Sequence, residues 1–148
     1  MNHIWISSLV LLIFNFPQSV EPAQSEKDAI IETLQLETRY FCERKLEKWQ
    51  EQWVHKPYTT KMYAGNTEFR EFTGWQKVNQ NTLDHIKAHP EKISIPVSNQ
   101  DYTIELLGKT ALVFYSNNNA SGTVREIRLM IKEEGKWKIA RMETIYQQ

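Results

Sequence analysis

The chain has 148 residues, with 18 Lys and Arg against 18 Asp and Glu and a single cysteine. Balanced charge gives no bulk attraction to nucleic acid or to an anionic membrane, and the lone Cys42 excludes an internal disulfide. A chain of this length makes one domain and buries roughly two-thirds of its unfolded surface, so it folds without a metal or disulfide staple.

In chain order, Ile4 to Phe16 is an apolar run, shorter than the ~20 residues a membrane-spanning helix needs. The breaker-rich stretch Pro17 to Gln24 follows. The pair reads as a signal peptide over residues 1–24, leaving 25–148 as the mature domain. The expected location is therefore secreted or periplasmic, with no stable membrane insertion after processing.

Ser25 and Asp28 have the form of a capping box opening a helix. Ile30, Ile31, Leu34, Thr38 and Phe41 share its apolar stripe, and Cys42 reads as a small core hydrophobe. After the polar break Glu43 to Lys45, Leu46, Trp49 and Trp53 predict a second short helix stopped by Pro57. Tyr58 to Tyr63 and Glu68 to Phe72 flank Gly65-Asn66 as a small hairpin. Gly74 starts a third helix that ends at His89-Pro90. Four strands close the chain: Tyr102 to Leu107, Ala111 to Ser116, Val124 to Ile131 and Trp137 to Ile145. Their connections are short enough to force an antiparallel meander. Asn119-Ala120-Ser121 is a glycosylation sequon in one of those turns. The expected architecture is α+β, an antiparallel sheet wrapped around three N-terminal helices.

Several residues carry a resemblance. They are Leu46-x-x-Trp49-x-x-x-Trp53, Gly74-Trp75, the step Gly108-x-x-Ala111, Arg128, and the ending Glu133-Glu134-Gly135-Lys136-Trp137-Lys138-Ile139. Taken in this order and spacing over Ser25 to Tyr146, the chain resembles the nuclear transport factor 2-like superfamily, in its SnoaL-like and ketosteroid-isomerase-like branch. The resemblance implies a cone-shaped, cystatin-like roll with a pocket at its wide end, and a homodimer through the outer sheet face. The isomerase's carboxylate base has no counterpart here. Tyr58 to Tyr63 contains no Asp or Glu, and Lys61 is its only ionisable group besides tyrosines.

Strand phase sorts the candidates. With Glu133-Glu134-Gly135 as a three-residue turn, Ile131 faces Trp137, Leu129 faces Ile139, Ile127 faces Arg141 and Arg125 faces Glu143. That places Arg125, Arg141 and Glu143 at a pocket mouth or a solvated rim, and puts Glu126, Arg128, Met130 and Met142 outside; a slip of one residue exchanges the two lists. Trp53, Tyr58, Trp75 and Tyr115 are candidates to line the pocket, with a place in the core as the ordinary alternative for each. His55 is the candidate base, because imidazole exchanges protons near neutrality; Tyr40 or Tyr115 is its candidate carbonyl-polarising partner, and a surface or capping role is the alternative for His55. His85 and His89 are spaced i, i+4 but lack a third ligand, so no metal is expected, and no cofactor. Two readings result. One is a pocket module that binds a small apolar or aromatic molecule, or dimerises, without catalysis. The other is an isomerase, dehydratase or lyase that uses His55.

Overall fold

The computed structural model describes residues 23–95, 101–119 and 122–147. The expected leader lies largely outside them, as do Ala120 and Ser121 of the sequon. Helix α1 spans Ala23–Cys42, α2 Leu46–Glu51 and α3 Trp75–Ala88. Strands are β1 Thr60–Ala64, β2 Phe69–Thr73, β3 Thr103–Leu107, β4 Thr110–Asn119, β5 Gly122–Glu133 and β6 Lys136–Gln147. No helix among the described residues is long and apolar enough to cross a membrane.

The expected capping box does not form. Helix α1 already runs from Ala23, so Ser25 lies within it, and Asp28 accepts a hydrogen bond from Gln24 instead. From there the stripe does what its spacing predicts. Ile30 and Leu34 enter a core that holds Trp49 and Trp53 from the α2 region, Val78 from α3, and Ile104, Val113, Met130 and Ile139 from the sheet.

The sheet has six strands in the order β2-β1-β6-β5-β4-β3. Its one departure from the expected antiparallel pattern is β1, which runs parallel to β6, with Thr60 opposite Arg141 and Ala64 opposite Ile145. The cause lies just upstream. Val54 N–H donates to the Ile139 carbonyl and Ile139 N–H to the Gln52 carbonyl, so the chain leaving α2 is already aligned with β6.

The β5–β6 register corrects the sequence reading. The turn has two residues, not three: Glu133 pairs with Lys136, and Lys132 with Trp137. Glu134 and Gly135 both have positive φ, 50° and 79°, which is the signature of the tight hairpin turn that matches strand twist. A bulge then falls between Leu129 and Met130, opposite the step from Ile139 to Arg141. Together these turn Met130, Arg128 and Glu126 inward with Ile139, Met142 and Thr144. Arg125, Arg141 and Glu143 go to the outer face, where Arg141 pairs with Glu143 at 2.5 Å. Glu134 bears a left-handed backbone that asparagine tolerates better. Glu134→Asn is therefore expected to stabilise the protein by ~0.5–1 kcal/mol, measured by denaturant unfolding; an unchanged midpoint contradicts the strain assigned to this turn.

Candidate functional site

Two transverse rows of inward side chains build the site. The first runs Phe72, Lys61, Met142, Arg128, Val113, Ile104 from β2 to β3. The second runs Arg70, Tyr63, Thr144, Glu126, Tyr115. Helix α1 lies across these rows and contributes Leu34, Glu37 and Thr38. Between helix and sheet lies a cleft of about 400 Å³ whose walls include Leu34, Thr38, Arg39, Tyr102, Tyr115, Glu126 and Arg128. A second, more open chamber of about 200 Å³ lies beside it, with Glu37, Lys61, Tyr63 and Thr144 in its wall. Thr38, Glu126 and Arg128 line both spaces.

The charges are arranged with care for desolvation. Arg128, 5% exposed, donates from Nη1 to Glu126 Oε2 at 2.6 Å, and the same oxygen accepts from Thr144 Oγ1 at 2.9 Å. Burial works against the guanidinium charge, but Tyr115, Glu126 and Glu37 around it outweigh that penalty and push its pKa up. Glu37 accepts from Trp49 Nε1 at 2.7 Å. Lys61, also 5% exposed, donates from Nζ to Thr82 Oγ1 at 2.9 Å. Burial pulls its pKa down to about 8, against the opposing pull of Glu37. Burial likewise pushes the phenols of Tyr63 and Tyr115 well above their ordinary value, so both remain neutral donors. The Tyr102 and Tyr115 rings, 5.0 Å apart, form the aromatic end of the cleft.

Of the residues singled out from sequence, Tyr115 lines this cleft. His55 sits elsewhere, exposed beside Pro57 and Gly74, with its ring stacked on Trp75 at 3.9 Å. Its Nε2 donates to the Gln50 carbonyl at 2.9 Å, which leaves Nδ1 as the acceptor. Tyr40 lines a third depression next to Trp137, with Lys48 Nζ 5.7 Å from its ring. His55 and Tyr40 are thus not brought together. Trp53 is fully buried in the core, Trp75 stacks between His55 and Trp49, and Tyr58 is exposed. Arg125, Arg141 and Glu143 leave the pocket altogether, because the two-residue turn and the bulge put them on the other face. His85 stacks on Phe41 and lies 4.9 Å from His89; no group of three metal-ligating side chains occurs among the described residues.

The residues that sequence reasoning missed are Glu37, Lys61, Glu126 and Arg128: strand phase puts Glu126 and Arg128 on the outer face, and Glu37, although it follows Ile30 and Leu34 at helical spacing, is a charged residue. One signal was present: the apolar positions of β6 change parity, from Trp137 and Ile139 to Met142, which marks a bulge.

No family model matches the chain, and no curated protein does. Solved structures do. A protein of the NTF2-like family from Streptomyces avermitilis, provisionally assigned as a dehydratase, aligns with a TM-score of 0.67 at 14% identity, over 86% of this chain and 99% of that one. An NTF2-like protein of unknown function from Shewanella oneidensis MR-1 aligns at 0.56 and 19% identity, over 82% and 99%. A cystatin-like fold protein from Burkholderia xenovorans LB400 gives 0.58 and 13%, over 85% and 93%. The chain has the NTF2-like fold.

Proposed function

We propose that this chain is a small-molecule-binding protein whose ligand enters the cleft between α1 and the inner sheet face. The observation that carries the reading is the cleft itself, about 400 Å³ with an aromatic end at Tyr102 and Tyr115 and a charged floor at Arg128 and Glu126. A preformed hollow in which a few polar groups converge is the usual form of a ligand site; here most of the lining is polar, and Leu34, Tyr102 and Tyr115 supply an apolar side. The class that fits is a small aromatic or apolar molecule bearing a polar group.

Thr38, which lines both spaces, gives the test. Native mass spectrometry of protein from its own source is expected to find a bound small molecule, and Thr38→Trp, which fills the cleft, is expected to lower its occupancy at least about tenfold. Undiminished occupancy in the variant overturns the reading. So does an empty wild-type protein that also fails to bind a panel of substituted benzenes by ligand-observed NMR.

An enzymatic reading draws support from the ionisable groups Lys61, Glu37 and Glu126 around one chamber, and from the dehydratase assignment of the Streptomyces structure. In the version that uses His55 as base, Nδ1 is the acceptor and the depression beside Trp75 is the site; full turnover by His55→Gln ends that version.

Two further parts of the proposal concern the whole chain. Residues 1–24 direct export, which N-terminal sequencing of the mature protein tests. The outer sheet face, where Leu112 pairs with Leu129 and Phe114 with Ile127, joins two copies as a homodimer. Sedimentation at micromolar concentration is expected to give twice the chain mass; a monomer at that concentration removes the proposed dimer.

A further inference from the structure

Lys61 is the least expected residue in the second chamber. It is nine-tenths buried, it makes no ion pair within 4 Å among the described residues, and its Nζ donates to the hydroxyl of Thr82. The nearby rings of Tyr63 and Trp49, at 5.5 and 5.8 Å, stabilise a cation only weakly. A structural lysine normally sends its ammonium to water or to a carboxylate. Here the stem is buried and the amine ends at the wall of a cavity.

We propose that Lys61 is a reactive amine that forms an imine with the carbonyl carbon of an aldehyde or ketone held in the second chamber. The inference rests on the pocket reading above and names the chemical class of the ligand. Neutral Nζ forms the C–N bond while the carbonyl π pair moves to oxygen. Both hydrogens of the amine then leave with that oxygen as water, and C=N remains, so no oxidant or reductant is needed. Glu37, Glu126 and the phenol of Tyr63 face the same chamber and can carry those protons.

The surroundings favour the required free amine. Burial disfavours the ammonium; Arg128 on β5 and Arg70 on β2 disfavour it further, while Glu37 on α1 and Glu126 on β5 oppose them. On α3, Thr82 contacts the amine, and His85 is a nearby titrating group whose own pKa is lowered by burial and by His89.

The test uses benzaldehyde with sodium cyanoborohydride, which traps an imine as a stable benzyl amine, followed by peptide mapping of the full-length protein. At pH 8, Lys61 is expected to carry the benzyl group at least about tenfold more than the exposed Lys109, because burial favours its neutral amine and the chamber holds the aldehyde beside it. Lys61→Arg is expected to lose that adduct and keep the background on the other lysines. Labelling of Lys61 no greater than that of Lys109 overturns the proposal, and this result comes from the wild-type protein, independent of any variant's folding. Benzyl alcohol, which cannot form an imine, separates the two levels of the argument. If it quenches tryptophan fluorescence but benzaldehyde leaves Lys61 unmodified, the amine chemistry is wrong and the pocket stands. If neither molecule engages, both fall.

Discussion

Replacing Trp137 with alanine is expected to lower the unfolding free energy by about 3–5 kcal/mol, in the range measured for large-to-small changes at buried aromatics. Trp137 is 5% exposed and sits where the β5–β6 hairpin meets α1. Its Nε1 donates to Glu26 Oε2 at 2.6 Å, Lys132 Nζ binds the other oxygen of Glu26 at 2.5 Å, and the Trp137 carbonyl accepts from Thr33 Oγ1 at 3.3 Å. One residue therefore carries apolar burial together with two ties between helix and sheet. Trp137→Phe keeps most of the burial and drops the indole donor, so about 1 kcal/mol is expected from it. Urea unfolding of both variants checks the pair, and equal losses would show that the hydrogen bond to Glu26 outweighs the cavity. The hydrogen bond from Lys132, and after it that from Trp137, holds the Glu26 carboxyl below its ordinary value of 4.5. This carboxylate contribution is complete above that value and is lost as pH falls through the lower folded one.

Lys61→Met is expected to make the protein more stable at pH 7 by ~1–3 kcal/mol, and less active in imine trapping. The sign follows from burial. An unfolded lysine holds its proton to 10.5 and the folded one only to about 8, a difference equivalent to about 3 kcal/mol. Below pH 8 both states are protonated and the whole penalty is present. Between pH 8 and 10.5 the unfolded state holds more protons, so wild-type stability gains with rising pH. Loss of the attraction between Lys61 and Glu37 in the variant reduces the benefit, which is why the expected range starts near 1. Tyr63 and Tyr115 act in the opposite sense. Their raised folded values stabilise the protein fully below about 10, and that contribution fades above it. Wild-type stability minus that of Lys61→Met, followed by guanidinium unfolding from pH 7 to 10, should therefore climb toward zero. A difference that does not change with pH would mean that Lys61 is solvated in solution.

Much of the fold was legible because its signals are local. Pro57, His89-Pro90, Gly74 and the two-residue turn at Gly108-Lys109 punctuate the chain where the elements end, and the stripe of Ile30 and Leu34 predicts the face α1 buries. The site was less legible, because it depends on parity over a long hairpin. A turn one residue shorter than expected inverts β5, and a bulge at Ala140 inverts only the second half of β6. Trp137 and Ile139 were thus assigned to the core correctly while Met142 was not. A sequence also cannot show that Arg128 and Glu126 pair inside the domain; single charged residues among apolar neighbours read as solvent-facing until their partners are known. His55 drew attention through its chemistry, yet its ring is occupied with Trp75 and Gln50.

The parallel junction of β1 with β6 has a consequence for how the domain is made. Residues 60–64 pair with residues 141–145, so during synthesis β1 waits for a partner that lies far along the chain. Pairing over so long a separation is slow to nucleate. Until it happens, β1 and its hairpin present an open edge on which a nascent chain can misassociate. The short β2 limits that exposure on one side; the other is closed only once β6 has been made.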